Sequence, residues 1–590
     1  MAFLPVTKEE IEAQGWEQPD FVLITGDAYV DHPSFGHAII SRVLESRGYR
    51  VAILAQPDWQ SAKDFRRFGK PRLAYLITSG NVDSMVNHYS VFKRRRKKDS
   101  YSPGGKTGYR PDRAVIVYSN RAREAYKGVP VIIGGLEASL RRLTHYDYWE
   151  DKLRRSILLD SKADLLLYGM GERGIVAVAE ALDSGIKMEH ITWIKGTAFS
   201  TNIRPEPSDY VEILPSYEEI LRSKRQYGES FRIQYQNQDW INGKTLVESY
   251  DENRWVVVNP PMEPLDTMEL DDIYRLPFMR NEHPEYQALG GVPAIEEIKF
   301  SITANRGCFG GCAFCALTYH QGREVRGRSK ESIIKEAKVL TERPDFKGYI
   351  HDIGGPTANF RGPACKKQQK YGVCKDKECL YPQPCKQLEI DHKGYLEILR
   401  SVRKLPKVKK VFIRSGIRYD YVMADKNNEF LEEVCKYHIS GTLKVAPEHI
   451  SPQVLAKMRK PPKKVFLAFS KQYKKVNENL GKKQYLIPYL ISSHPGSTLE
   501  DAVELALFLK KSGFVPDQVQ DFYPTPGTLS TCMYYTGLDP LTGEQVYVAK
   551  DIKEKQMQRA LLHFNKRENH KLVREALEKA GRKDLIPVLR

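Results

Sequence analysis

The sequence reads Ala304-Asn305-Arg306-Gly307-Cys308-Phe309-Gly310-Gly311-Cys312-Ala313-Phe314-Cys315 in one glycine-rich stretch, here named the three-cysteine loop. Three and two residues separate its cysteines, so one loop can wrap three thiolates around one metal cluster. An iron–sulfur cluster held by three thiolates keeps one iron open to a further ligand. A closed zinc site needs four protein ligands and would need a fourth partner such as His320. The stretch therefore predicts a metal site of one of these two kinds.

The residues on either side predict how this loop is held. Lys299-Phe300-Ser301-Ile302-Thr303 favours a short β-strand that runs into the loop, and Lys330 to Thr341 favours an amphipathic helix after it. Strand, loop and helix form the first unit of a parallel barrel, in which the chemistry lies at the carboxyl ends of the strands. We expect the three-cysteine loop at such an end.

The cysteine spacing, with the aromatic residue Phe314 before the last cysteine, resembles the motif of the radical S-adenosylmethionine (SAM) superfamily. The resemblance implies that Cys308, Cys312 and Cys315 ligate a [4Fe-4S] cluster whose open iron chelates SAM. It also implies that one-electron cleavage of SAM yields a 5′-deoxyadenosyl radical, which abstracts hydrogen from a substrate. These implications are expectations that depend on the surrounding fold.

Two later strands carry candidate cofactor-binding residues. Tyr349 to Ile353 is a predicted strand that ends at Gly354 and Gly355, where the superfamily keeps a glycine pair against the amino group of SAM. A bare backbone lets carbonyl groups approach an ammonium closely. The predicted strand Thr442 to Ala446 precedes Glu448, whose carboxylate could accept hydrogen bonds from ribose hydroxyls. About six such strand–helix units are expected, which suffice for a partial (β/α)6 barrel.

A second group of cysteines, here named the four-cysteine loop (residues 365–385), contains Cys365, Cys374, Cys379 and Cys385. Eight, four and five residues separate them, so four thiols lie within 21 residues. They predict a zinc site or an auxiliary iron–sulfur cluster, although the missing C-x2-C hairpin weakens the zinc interpretation. Free thiols in a lysine-rich loop are the remaining alternative, but exposed reactive cysteines are usually avoided.

The N-terminal region predicts a doubly wound parallel sheet, because short apolar strands alternate with helices. A helix is predicted over Gly36 to Arg47. The predicted strands are Phe21–Thr25, Arg50–Leu54, Leu73–Thr78, Arg113–Tyr118, Val129–Ile133 and Ala163–Tyr168. Their order resembles the cobalamin-binding domain that precedes some radical SAM barrels. The run Asp31-His32-Pro33-Ser34-Phe35-Gly36 does not match the D-x-H-x-x-G pattern of that domain, so bound cobalamin stays uncertain.

Composition limits the class of protein. At 590 residues the chain is expected to form about three or four domains. No apolar run reaches the ~18 residues that a membrane helix needs, and the N-terminus lacks a signal-peptide pattern. Seven of the nine cysteines lie between Cys308 and Cys385, which argues against a secreted disulfide framework. We therefore expect a cytoplasmic protein with no membrane contact.

The formal net charge of +18 makes nucleic acid a candidate partner. The densest basic run is Lys93 to Lys98, and Tyr89, Phe92 and Tyr101 beside it could stack on bases. A solvated loop is the simpler interpretation, because charge runs usually face solvent. Both interpretations stay open.

The whole chain resembles the YgiQ family of radical SAM proteins. The resemblance rests on four further runs: Arg110-Pro111-Asp112-Arg113, Gly134 to Arg142, His145 to Trp149 and Pro495 to Asp501. The predicted ranges are a Rossmann-like, cobalamin-binding-like domain (1–198), a connecting segment (199–297), a radical SAM partial barrel (298–535) and a basic helical region (536–590). The resemblance implies an enzyme of unknown substrate with a flavodoxin- or ferredoxin-like electron donor. The alternatives are cobalamin-dependent methyl transfer and a metal-dependent RNA-binding or regulatory protein.

Overall fold

The computed structural model describes residues 2–514, 516 and 519–589. Its described part divides into two compact units. The first contains Met1–Gln226, Ile233–Ser301 and Tyr319–Gly322, and the second contains Tyr227–Arg232, Ile302–Thr318 and Arg323–Arg590. The four domain ranges expected from the sequence stay predictions.

The first unit is built on a twisted sheet. Its strands are β1 (Phe21–Thr25), β2 (Val30–Asp31), β3 (Val51–Ala55), β4 (Ala74–Thr78), β5 (Val131–Ile133), β6 (His145–Asp147), β7 (Lys152–Arg154), β8 (Leu165–Leu167), β9 (Thr197–Thr201), β10 (Val211–Ile213), β11 (Thr245–Asp251), β12 (Arg254–Val258) and β13 (Asn281–Glu282). Among the described residues, nine of them pair in the order β10-β11-β12-β9-β8-β5-β4-β1-β3. The run from β3 to β8 is parallel throughout.

Helices cover both faces of this sheet. Up to residue 298 the α-helices are α1 (Lys8–Ala13), α2 (Gly36–Ser46), α3 (Ser84–His88), α4 (Ala114–Ala125), α5 (Gly135–Leu140), α6 (Ile157–Ser161), α7 (Glu172–Asp183), α8 (Tyr217–Arg222), α9 (Lys224–Gln236), α10 (Thr267–Arg275) and α11 (Ala294–Ile298). Successive β1 residues alternate between two buried cores: Val22 packs with α4, and Leu23 packs with α2 and α7. Because side chains alternate across a strand, both faces are apolar, and the doubly wound fold is confirmed.

In two places the structure of this unit differs from what the sequence predicted. Residues 113–118 were predicted as a strand, but the chain there begins helix α4, whose buried residues recur every three to four positions through Ala125. The β-branched residues Val115, Ile116 and Val117 favour a strand locally, and packing overrides that preference. Residues 199–297, predicted as a connecting segment, contribute β10, β11 and β12 to the sheet.

The second unit has the strands and helices of a partial barrel, which confirms that part of the fold prediction. From residue 301 onward the strands are β14 (Ser301–Thr303), β15 (Asn305–Arg306), β16 (Arg326–Gly327), β17 (Tyr349–Ile350), β18 (Asp352–Gly354), β19 (Lys410–Val411), β20 (Thr442–Glu448), β21 (Tyr485–Ser492) and β22 (Gln520–Asp521). Strand β14 pairs with β18 and β17 with β19, while β20, β21 and β22 form a parallel group.

Helices follow the barrel strands and continue to the C-terminal region. They are α12 (Leu317–Gln321), α13 (Lys330–Thr341), α14 (Lys366–Tyr371), α15 (Lys393–Arg403), α16 (Tyr419–Ala424), α17 (Glu429–Glu433), α18 (Pro452–Met458), α19 (Lys463–Asn479), α20 (Leu499–Ser512), α21 (Leu529–Thr536), α22 (Ile552–Leu562) and α23 (His570–Lys579). Helices α22 and α23 share one buried core with α20. The last helices therefore belong to the packed interior of the second unit. In the part of the chain that the structure describes, no helix is long and apolar enough to cross a membrane.

Candidate metal and cofactor site

The three-cysteine loop leaves β14 through a turn that only glycine fits. Gly307 has a φ of +78°, and a Cβ atom there would lie 1.9 Å from the carbonyl oxygen of Glu324. Beyond it, β15 pairs with β16, so the loop closes back on the chain that follows it. This local pairing fixes the start of the loop just before Cys308.

The three thiols of the loop lie close together and are half-buried. Burial raises the pKa of Cys315 to about 12, and the Cys312 and Cys308 thiols act in the same direction. The pKa of Cys308 is also raised, first by burial, while a contact of 3.5 Å between its Sγ and the Thr357 hydroxyl opposes the rise. Metal binding at this loop would therefore release protons from the thiols.

A buried arginine supplies positive charge beside these thiols. Nη1 of Arg418 donates to Sγ of Cys312 at 3.2 Å and to the carbonyl oxygen of Gly310 at 3.3 Å. Its other donors bind both oxygens of Asp420 at 2.8 and 2.6 Å. A Cβ atom at Gly310 would lie 2.6 Å from Nη1 of Arg418, so the glycine is needed for this approach. Arg418 was not predicted from the sequence; the available signal was an arginine two residues before an aspartate, directly before helix α16.

The donor set of three neighbouring thiols and one guanidinium fits an iron–sulfur cluster. Zinc, with Zn–S bonds of about 2.3 Å, requires its ligands to converge on one point. An iron–sulfur cluster binds each thiolate at a different iron, so its ligands stand further apart. Three neighbouring thiols beside a guanidinium therefore fit a cluster that carries negative charge.

His320 is the residue that the zinc alternative would need. It belongs to the first unit, where the charges of Arg142 and Glu172 act on it and burial lowers its pKa to about 4. The cysteines belong to the second unit. No observation on the described residues joins His320 to the three-cysteine loop as a ligand.

Gly354 and Gly355 end β18 beside the three-cysteine loop. The carbonyl oxygen of Gly354 accepts a hydrogen bond of 2.6 Å from the amide of Ala304. A Cβ atom at Gly355 would lie 2.5 Å from both the backbone oxygen and the side-chain oxygen of Asn305. At Gly354 it would meet the hydroxyl of Ser415 at 1.8 Å, which is the end of a rotatable side chain. The glycine pair thus lets β18 approach the strand that leads to Cys308.

Glu448 lies at the end of β20 in a buried group of charges. Its φ is +67°, and its side chain is 9% exposed. Nζ of Lys460, itself 3% exposed, stands 3.9 Å from Oε1 of Glu448. Burial raises the pKa of Glu448, while the charges of Lys460 and Arg418 oppose the rise. Lys460 also acts on Cys315 and Asp420, so these groups share one electrostatic environment.

We expect Glu448→Gln to weaken binding of S-adenosylhomocysteine by roughly 10- to 100-fold, because a hydrogen bond to a charged group is worth about 1.5–3 kcal/mol. The substitution keeps the size of the side chain and removes its charge. Calorimetric titration of the cluster-loaded protein measures the affinity. Glu544→Gln is the matched control, since the Glu544 side chain is 66% exposed. Equal affinity in the Glu448 variant and in wild type would show that Glu448 does not bind the cofactor.

The four-cysteine loop also lies in the second unit. All four of its cysteines are half-buried. Sγ of Cys365 accepts a hydrogen bond of 3.4 Å from the amide of Gln368 at the start of α14. Cys435 and Cys532, the other two cysteines, are buried.

In the first unit, the guanidinium of Arg142 lies against two tyrosine rings. The guanidinium carbon of Arg142 lies 4.4 Å from the ring centre of Tyr168 and 3.8 Å from that of Tyr319. A Cβ atom at Gly169, just past β8, would lie 3.2 Å from the carbonyl oxygen of His320. Asp31 binds the buried Arg42.

The basic run Lys93 to Lys98 is exposed, but part of it is held by the surrounding fold. Nζ of Lys93 donates to the carbonyl oxygen of Trp149 at 3.0 Å and lies 5.2 Å from the ring centre of Tyr148. The Tyr89 hydroxyl donates to Asp112 at 2.7 Å. Nucleic-acid binding by this run stays a prediction.

Comparison with family models places this site in a known class. Residues 3–301 match the family described as "Radical SAM N-terminal", and residues 302–509 match "Radical SAM superfamily". Residues 517–588 match a domain of unknown function, DUF3362. The three-cysteine loop falls inside the second match. The chain is therefore a radical SAM protein.

Full-length relatives narrow the class to one family. A UPF0313 protein of Clostridium botulinum (strain Kyoto / Type A2) is 58% identical over 586 residues, which cover 99% of this chain and 90% of that protein. A UPF0313 protein of Clostridium perfringens (strain 13 / Type A) is 57% identical over 584 residues, with coverage of 99% and 88%. The chain belongs to the UPF0313 family.

Solved structures show a weaker similarity. The radical SAM methyltransferase TsrM of Kitasatospora setae, with cobalamin and a [4Fe-4S] cluster bound, is 13% identical with a TM-score of 0.49 and coverage of 95% of this chain and 100% of that one. The cobalamin-dependent radical SAM enzyme OxsB is 11% identical with a TM-score of 0.47 and coverage of 92% and 60%. Similarity at this level says nothing of the cofactors or substrate of this chain.

Proposed function

We propose that this protein is a radical SAM enzyme that cleaves SAM reductively and uses the resulting 5′-deoxyadenosyl radical on a substrate not yet identified. The observation that carries the proposal is the arrangement of Cys308, Cys312 and Cys315, three neighbouring thiols on one loop with the guanidinium of Arg418 against them. Membership of the radical SAM superfamily supports the same conclusion.

The cysteines would hold a [4Fe-4S] cluster through three of its irons. When bound, this cluster supplies one electron to SAM and an open iron for the amino and carboxylate groups of SAM. Arg418 offsets the negative charge of the thiolates through its bond to Cys312. Because Asp420 binds two of its other donors, the guanidinium is held in one orientation.

Gly354, Gly355 and Glu448 are proposed to position SAM. The backbone at the end of β18 offers carbonyl oxygens to the ammonium, and Glu448 accepts hydrogen bonds from the ribose hydroxyls. The buried Lys460 keeps the Glu448 carboxylate oriented. The protein holds the 5′-deoxyadenosyl radical close to one C–H bond of the substrate and away from water.

The two alternative functions receive less support. Corrinoid-dependent methyl transfer lacks the histidine of the D-x-H-x-x-G pattern, because the run from Asp31 to Gly36 does not match it. An RNA-binding or regulatory role rests on the basic run, of which Lys93 is already bound to the fold. An electron donor of the flavodoxin or ferredoxin kind remains part of the proposal, because reductive cleavage needs an electron.

Product analysis tests the proposal. The full chain, reconstituted with iron and sulfide without oxygen, is incubated with SAM and dithionite, and products are separated by chromatography. We expect 5′-deoxyadenosine and methionine in equal amounts. Absence of both products from protein that carries a full [4Fe-4S] complement would contradict the proposed function.

A further inference from the structure

The four-cysteine loop has a defined conformation around its thiols. Cys365 directly precedes helix α14, and its Sγ accepts a hydrogen bond from the amide of Gln368. The amide of Cys385 donates to the carbonyl oxygen of Cys379 at 2.9 Å, which closes the last turn of the loop. Four free cysteines in one lysine-rich loop are unusual, because surface loops generally avoid unliganded thiols.

The thiols of this loop also lie near one another. Burial raises the pKa of Cys379 to about 12, and the charges of Glu378, Cys365 and Cys374 act in the same direction. Cys365, Cys374 and Cys379 are therefore close enough for their charges to act on one another.

A buried ion pair holds the four-cysteine loop in place. Arg323 donates to the carbonyl oxygens of Cys374 and Lys377 at 3.3 Å each and to Oε2 of Glu378 at 2.7 Å. The Arg323 and Glu378 side chains are 5% and 3% exposed. Since burying charge is costly unless it is paired, this pair indicates a loop that is kept in one conformation. Such a scaffold can present ligands at fixed positions.

The four-cysteine loop packs directly against the three-cysteine loop. Phe309, between the first two cysteines, stacks on Phe360 with 3.8 Å between ring centres. Leu380 belongs to the same buried core, and both Cys308 and Cys379 pack against it. Gly311 has a φ of +64°, and a Cβ atom there would lie 2.2 Å from Oε2 of Glu378. The two cysteine loops thus share one packed core.

We propose that Cys365, Cys374, Cys379 and Cys385 bind an auxiliary iron–sulfur cluster that packs beside the SAM-binding cluster. Thiolates are the ligands that such clusters take, and four are available. The separations of eight, four and five residues lack the C-x2-C hairpin common in zinc sites, which favours a cluster over zinc. The proposal does not depend on SAM cleavage, because the ligands come from the second loop alone.

Two variants of the full chain test the proposal by metal content. In the first, Cys308, Cys312 and Cys315 are changed to serine, and in the second, Cys365, Cys374, Cys379 and Cys385 are changed to serine. After reconstitution with iron and sulfide without oxygen, each variant should keep roughly four irons per chain, against roughly eight in wild type. Iron, sulfide and zinc are measured chemically, and Mössbauer spectra identify the cluster type.

The outcomes separate this proposal from the proposed function. Iron and sulfide retained in the first variant support an auxiliary cluster whether or not wild type cleaves SAM. Zinc in place of iron, or iron at background level in that variant, overturns it. Because either variant could fail to fold, Cys374→Ser in otherwise wild-type protein gives a second measurement, and wild-type iron content there also overturns the proposal. Cys435→Ala, a buried thiol outside both loops, should keep wild-type iron content.

Discussion

Replacing Cys308, Cys312 or Cys315 singly with alanine is expected to reduce SAM cleavage to background. Each residue supplies one of the three protein ligands of the proposed SAM-binding cluster, and the loop offers no substitute thiol close by. The broad visible absorbance that gives the cluster its brown colour should fall in the same variants. Chromatography of 5′-deoxyadenosine and measurement of iron content check both effects.

Cys435→Ala is the control for loss of a cysteine as such. Cys435 is fully buried, and Nδ2 of Asn477 lies 3.8 Å from its Sγ. Its removal should leave SAM cleavage unchanged. Full cleavage in any variant of Cys308, Cys312 or Cys315 would contradict the ligand assignment.

Gly355→Ala is expected to weaken SAM binding by more than about tenfold and also to lower iron content. In the structure, the added Cβ would lie 2.5 Å from the backbone oxygen of Asn305, three residues before Cys308. Overpacking of this kind costs about 1–3 kcal/mol, and relief requires moving the strand that leads into the three-cysteine loop.

Gly362→Ala provides a matched control for this substitution. It lies in the same stretch after β18, and nothing stands within 4 Å of the added Cβ atom. Affinity for S-adenosylhomocysteine and iron content are measured for both variants. Wild-type values for both quantities in Gly355→Ala would mean that β18 does not pass Asn305 as described.

Local sequence patterns predicted those elements whose signal lies within the element itself. Strand β1 and helix α13 have the predicted bounds, because one is a continuous apolar run and the other has a helical repeat of apolar residues. Strands β10 to β12 were missed, since their pairing depends on partners far along the chain. Their region is rich in proline, tyrosine and charge, so its periodicity is weak.

In the candidate site, too, residues with a local sequence signal were predicted and residues brought together only by folding were missed. Cysteine spacing predicted the three-cysteine loop, since all its ligands lie within eight residues. Arg418, Glu448 and Lys460 come from separate strand ends and helices, and only the folded chain shows that they share one buried environment. The ion pair of Arg323 and Glu378 was missed for the same reason.

The electron paramagnetic resonance spectrum of the reduced wild-type protein, recorded before and after addition of SAM, shows whether SAM binds an iron of the cluster. We expect a [4Fe-4S]⁺ signal whose g values shift when SAM binds the iron that no cysteine ligates, and no such shift in Cys312→Ala. A full cluster signal that SAM leaves unchanged would contradict the assignment of Cys308, Cys312 and Cys315 as ligands of a SAM-binding cluster.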